Sequence, residues 1–174
     1  IGPSGFGYGD QDDNTETSPV ISIFIRKTFQ ITDLEIISKA IFHIDYDDGY
    51  IAYLNGEEFS RRNMGAIGSN VAYDENATDL HEAEIYQGGF PERIDINLNN
   101  FQNGENTIAI EVHNFGPNSS DLSCIPFLTF GYNSEQEETR TPNSFMELPN
   151  SFLHTNFKLN SSNDTVFLSS ADEN

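Results

Sequence analysis

The chain has 174 residues, with 28 Asp and Glu against 8 Lys and Arg, a formal net charge of −20. That balance excludes nucleic acid and anionic membrane surfaces as partners, because phosphate recognition needs a cationic face. It permits cations, neutral glycans or a basic protein, and most of the charge serves solubility. The length fits one domain with room for an appendage. The 14 Phe and 7 Tyr can fill a sandwich core although hydrophobic content is only 36%. Cys124 is the single cysteine, so no intrachain disulfide forms. It lies in the apolar run Leu122 to Phe130, where a small buried side chain is its natural role. No apolar run approaches the roughly 18 residues of a membrane span, and no signal-like segment opens the chain. The start Ile1-Gly-Pro-Ser reads as that of a mature or excised piece.

Helical periodicity is nearly absent. In chain order, Val20 to Gln30 alternates as a strand. Asp33 to Lys39 reads as a short helical turn with Asp33 as its N-cap. Ala40 to Tyr46 places Ile41, His43 and Asp45 opposite Phe42, Ile44 and Tyr46. Tyr50 to Leu54 places Tyr50, Ala52 and Leu54 on one face and Ile51 and Tyr53 on the other. Asp47-Asp48-Gly49 and Asn55-Gly56 are turn chemistry, and the first reads as a tight hairpin. Glu57 to Arg61, Arg93 to Leu98, Asn106 to His113 and Ser123 to Tyr132 complete an all-β, antiparallel sandwich. Asn63 to Pro91 has few strand signals, and a loop of that length is functional or packed on the sandwich. The expected division is a sandwich over 1–132, an acidic linker over 133–143, and a short C-terminal strand hairpin over 144–174.

Several motifs occur in one order: Gly5-Phe-Gly-Tyr-Gly-Asp-Gln-Asp-Asp13, Phe24-Ile-Arg-Lys-Thr-Phe29, Asp47-Asp-Gly-Tyr-Ile-Ala-Tyr-Leu-Asn-Gly56, Arg62-Asn-Met64, Gly104-Glu-Asn-Thr-Ile-Ala-Ile-Glu-Val-His113 and Ser119-Ser-Asp-Leu-Ser123. Through them the segment from Ser4 to Tyr132 resembles galactose-binding-domain-like jelly-roll accessory modules of secreted bacterial proteins. Those modules are found with lamin-tail and spore-coat-H-type domains. Leu153 to Ser162 and Thr165 to Leu168 look like the opening strands of a lamin-tail-like segment. The resemblance implies a jelly roll, secretion or display at a cell surface, neighbouring domains of a parent protein, and a structural calcium near the termini.

Two acidic groups are candidate cation ligands. Asp10, Asp12 and Asp13 sit in a glycine-rich segment whose backbone can curl carbonyls toward a hard cation. Asp47 and Asp48 are adjacent carboxylates that repel unless a cation or proton intervenes. This pair also looks like the calcium- and sugar-binding turn of protective-antigen-type adhesin lectins. A solvated acidic turn is the competing reading for the first group, and a tight hairpin with Asp48-Gly49 as its turn is the competing reading for the second. Asp47, Asp48, Arg62, Asn63, Tyr73 and Tyr86 form the expected ligand rim, with aromatic faces for sugar rings and polar groups for hydroxyls. An ion pair that locks the long loop is the competing role for Arg62. His43, His81, His113 and His154 lack zinc-site spacing. No nucleophile elbow, phosphate loop or Cys–His signature occurs, so the chain is expected not to be an enzyme. The expected function is carbohydrate or polysaccharide binding with a structural calcium. The alternative is an adhesive spacer that makes protein contacts without a small ligand.

Overall fold

A computed structural model describes residues 4–9 and 12–133. Their regular elements are strands and three single 3-10 turns, as the alternating sequence requires. The strands are β1 (Phe6–Tyr8), β2 (Thr15–Glu16), β3 (Ser22–Ile31), β4 (Ile37–Tyr46), β5 (Gly49–Leu54), β6 (Glu57–Arg62), β7 (Glu92–Ile96), β8 (Gly104–His113) and β9 (Leu122–Tyr132). They form a five-stranded sheet in the order β2-β1-β9-β4-β7 and a four-stranded sheet in the order β3-β8-β5-β6. The expected all-β sandwich is thus present. Its pairs are antiparallel except β1 with β2, which run parallel from Phe6 opposite Thr15. The expected C-terminal hairpin over 144–174 and the linker over 133–143 fall almost wholly outside the described residues.

The core forms where the inward faces of the two sheets meet. Ala40, Phe42, Ile44 and Tyr46 of β4 face Tyr50, Ala52 and Leu54 of β5, with Val112, Leu122 and Cys124 among them. Complete burial pushes the Cys124 thiol well above its usual range, which suits packing and not nucleophilic chemistry. Phe42 meets Phe59 edge-on with centroids 5.2 Å apart, and Phe101 meets Phe130 at 5.3 Å, the favoured geometry for aromatic pairs. Asp33 caps its turn as expected, accepting from the Glu35 amide at 3.0 Å. The turn lasts only from Leu34 to Ile36, because the β-branched Ile37 opens β4 directly.

Two turns differ in a way the sequence conceals. Asn55-Gly56 is a true two-residue hairpin between β5 and β6, with φ of 52° and 88°. Asp47-Asp48 is not a hairpin. It carries the chain from β4 in one sheet to β5 in the other, and its peptide is cis. Local turn chemistry is the same in both cases; only the pairing of the flanking strands distinguishes them.

Asn106 braces the opposite end. It is fully buried, accepts from the Gln102 amide at 3.0 Å and Asn55 Nδ2 at 2.9 Å, and donates to the Gln102 carbonyl at 2.7 Å. Its removal strands several buried polar groups. Asn106→Ala should therefore cost about 2–3 kcal/mol in urea unfolding, well above the effect of an ordinary surface change. A loss below about 0.5 kcal/mol would show that these bonds are replaced by water.

Candidate functional site

Register brings three connections to one end. Tyr46 lies opposite Cys124, Gly49 opposite His113, and Tyr50 opposite Arg62. The β4–β5 crossover, the start of the 63–91 loop and the 114–121 loop therefore emerge side by side. The long loop carries little regular structure, so its order must come from side chains that hold its backbone. Arg61, only 5% exposed, donates to the Met64 carbonyl at 2.6 Å and to the Ser69 carbonyl and hydroxyl at 2.9 Å each. Glu58 grips the same guanidinium through two bonds of 2.8 Å, which holds its carboxyl below the usual range. His113 donates from Nδ1 to the Glu75 carbonyl at 2.8 Å. Met64 and Ala77 bury against Ile51, the outward residue of β5. Gly49 permits this approach, since a Cβ there would sit 2.9 Å from both Ala77 Cβ and Met64 Sδ.

The three acids at the end of β4 have different partners. Asp45 accepts from the Glu84 and Ile85 amides, both at 2.8 Å. Burial pushes its carboxyl up, and the two amides oppose that. Asp48 accepts from the His81 amide at 3.0 Å with one oxygen and from the Phe115 amide at 2.7 Å with the other. It thus ties the 63–91 loop to the 114–121 loop. His81 stacks on Tyr46, with centroids 4.1 Å apart, and donates from Nδ1 to the Tyr46 carbonyl at 2.9 Å.

Asp47 is the exception. It is 3% exposed, and its carboxyl hydrogen-bonds the Asp48 carboxyl, with no amide, hydroxyl or basic donor to it among the described residues. What faces it is acidic: one oxygen each from Asp47, Glu82 and Asp121 lie within 4.8 Å of one another. Burial, then the charges of Asp48 and Asp121, push the Asp47 carboxyl up to about 9. Asn114 adds a buried Oδ1 with no hydrogen-bond partner among the described residues. Its Nδ2 donates to Tyr8 Oη at 2.9 Å; burial first, and then the charges of Asp121, Asp47 and Asp48, raise that phenol, while the Asn114 bond opposes them. This cluster of one buried, one half-buried and one exposed acid could hold a metal ion.

The structure joins only some of the expected site residues. Asp47 belongs to the cluster, with Glu82 and Asp121, which the sequence reading did not select. Asp48 is beside it but spends both oxygens on amides. Asp12 accepts from the Ser123 hydroxyl at 3.1 Å, and Asp13 packs its carboxylate against Gly7. Asp10 lies outside the described residues, although its neighbour Gly9 packs on Asp121. Arg62 pairs with Glu92 at the start of β7, joining the two sheets at one edge, and donates to the Arg61 carbonyl at 2.8 Å. Asn63, at φ 54°, donates to the Asp48 carbonyl at 2.8 Å. Tyr73 is 73% exposed beside β3, where its carbonyl accepts from Ser22, and Tyr86 is 43% exposed beside Asp45-bound Ile85. The two aromatic rings are thus anchored near different sheets.

No protein-family model matches the chain, and no curated protein matches it. Among solved structures, it is similar to α-L-rhamnosidase from Streptomyces avermitilis complexed with L-rhamnose, at 20% identity and TM-score 0.43, over 67% of this chain and 9% of that chain. It is similar to α-L-rhamnosidase from Dictyoglumus thermophilum at 21% identity and TM-score 0.43, over 65% of this chain and 11% of that one. The native enzyme from Aspergillus terreus gives 16% identity and TM-score 0.44, over 75% and 14%. The chain spans only 9 to 14% of the length of these proteins. No helix among the described residues is long and apolar enough to cross a membrane.

The Asp47 carboxyl has a consequence for stability. Its pKa rises on folding from 3.8 to about 9, so the folded state holds that proton more tightly. The contribution is complete below the unfolded value and is lost as pH rises toward 9. His43, lowered to about 4 by burial, acts only below its ordinary 6.5 and in the opposite sense. In calcium-free buffer the urea midpoint should therefore fall between about pH 7 and pH 9, and Asp47→Asn should flatten that slope. A wild-type profile already flat across this window would contradict the assignment.

Proposed function

We propose that the chain is a non-catalytic binding module of a larger secreted or cell-surface protein. It carries calcium at Asp47, Glu82 and Asp121 and takes carbohydrate at the same end of the sandwich. The observation that supports the reading is the buried Asp47 carboxyl, which meets only acids: its side-chain hydrogen bond is to the Asp48 carboxyl, and Glu82 and Asp121 face it. A hard cation removes that conflict, and a site made only of oxygens on three separate loops suits calcium, which accepts irregular geometry at six to eight ligands. Exposed aromatic side chains on the surrounding loops, Tyr73, Tyr86, Phe90 and Phe115, supply apolar faces of the kind sugar rings stack on. The spacer alternative draws on one specific observation. Arg62, Asn63 and Asp48 are all engaged in bonds within the chain, which leaves fewer polar groups for a ligand.

The first test is calorimetric titration of the chelated protein with calcium chloride, paired with thermal unfolding. Calcium at about 100 times its dissociation constant should stabilise the fold by about 2.7 kcal/mol. Glu82 is exposed and Asp121 half-buried, so Glu82→Gln with Asp121→Asn should fold yet lose the heat of binding. A midpoint and heat unchanged by calcium in the wild-type protein would remove calcium from the reading.

A further inference from the structure

We propose that the open edge of β3 is a docking site for an extended acidic segment of a partner protein. The segment adds as a further strand, with a carboxylate on Arg26 and an apolar side chain beside Phe24. This surface is separate from the acidic cluster, and the proposal does not rest on the cation reading.

The β3 edge differs from the other borders of the sandwich. β2, β7, β3 and β6 lie at the borders of the two sheets. β2 has two residues, β7 has five, and β6 has six with a register shift against β5 between Ala52 and Tyr53. Short or bulged borders of that kind resist pairing with another strand. β3 has ten residues in unbroken register with β8, from Ser22 opposite His113 to Ile31 opposite Gly104. It contains no proline. Among the described residues β8 alone pairs with it, so alternate N–H and C=O groups face away from the sheet. A peptide strand engages such groups through its own main chain, and its side chains then meet those of the edge.

The side chains of β3 select what pairs there. Phe24, Arg26, Thr28 and Gln30 alternate as its exposed face. Phe24 is 60% exposed, its ring edge-on to that of buried His113 at 6.1 Å. Arg26 lies opposite the small, uncharged Ala109. Lys39, Arg61, Arg62 and Arg93 each pair with an acid of this chain, whereas Arg26 has no ion-pair partner among the described residues. A guanidinium and a large apolar ring two positions apart, on a chain at −20, favour a strand that is acidic and partly apolar. The same charges disfavour a second copy. Two β3 strands paired antiparallel, with their cores on the same side, set residues of equal parity opposite each other. Near full overlap Arg26 then meets Arg26, or Lys27 meets Lys27. Like charges directly opposite, and −20 on each chain, oppose that dimer.

The experiment is fluorescence anisotropy of labelled peptides, matched in length to β3, with the full chain in chelator. One peptide alternates valine with glutamate, one alternates valine with lysine, and one is the glutamate peptide broken by a central proline. Saturable binding of the glutamate peptide is expected, with none by the lysine or the proline-broken peptide. Arg26→Glu should weaken the glutamate peptide roughly tenfold and admit the lysine peptide, at an unchanged melting temperature. Amide shifts in the NMR spectrum of the labelled protein should concentrate on Ser22 to Ile31. Equal binding of the glutamate and lysine peptides, or binding that Arg26→Glu leaves unchanged, would overturn the charge complementarity and with it the proposal. Binding of the proline-broken peptide as strong as that of the intact one would overturn strand addition. A free chain that sediments as a dimer, with the same amide shifts on dilution, would give the edge to a second copy instead. Absence of saturable binding by the glutamate peptide, the result if residues 134–174 of the chain already fill this edge, would overturn the proposal as well.

Discussion

The end of the sandwich depends on one buried carboxylate. Asp48 is 2% exposed, and each of its oxygens takes a backbone amide from a different loop. An unpartnered charge buried so deeply would be costly, and an amide in a loop needs an acceptor. Each solves the problem of the other. The chain has few strands to offer at this end, so these bonds replace the ladder bonds that a sheet would supply. Once the His81 and Phe115 amides are fixed, Glu82 and Asp121 are carried to the mouth of the β4–β5 crossover, where Asp47 already lies.

Asp45, Asp47 and Asp48 show how little the residue type alone decides. All three sit within one short stretch and all three are buried. Asp45 and Asp48 each meet two amides, which pay for their burial. Asp47 meets only other acids. A proton or a cation resolves that, and the choice between them is a matter of pH and of cation supply. Spending two acids on structure and leaving the third without donors is what turns a packed end into one with an open requirement.

The alternation of apolar residues made most of the sandwich legible in the sequence. β3 through β9 fall close to the runs read as strands, and Tyr50 and Ile51 lie on opposed faces as expected, the first in the main core and the second in a loop-side cluster. β1 and β2 were not legible, because two or three residues among glycines and acids carry no measurable period. The site was only half legible. The Asp47-Asp48 pair announced itself by adjacency, but its role as a crossover depends on which strands pair, a property of the whole fold. Glu82 and Asp121 lie in irregular loops, where spacing along the chain says nothing of distance in space.

That division has a physical basis. A strand declares itself because its burial repeats every second residue, so each position repeats the same message. A site assembled from three connections has no repeat; its residues are related only through the register of β4 with β9, β5 with β8 and β5 with β6. Register in turn is fixed by the hydrophobic faces, since a slip of one residue would turn the core side of a strand to solvent. The acids therefore converge through the packing of Phe42, Tyr50 and Val112 and their neighbours, none of which touches the cluster's chemistry. A cation bound there would act back on the fold through the same route, tying three connections whose separation is what unfolding of that end requires.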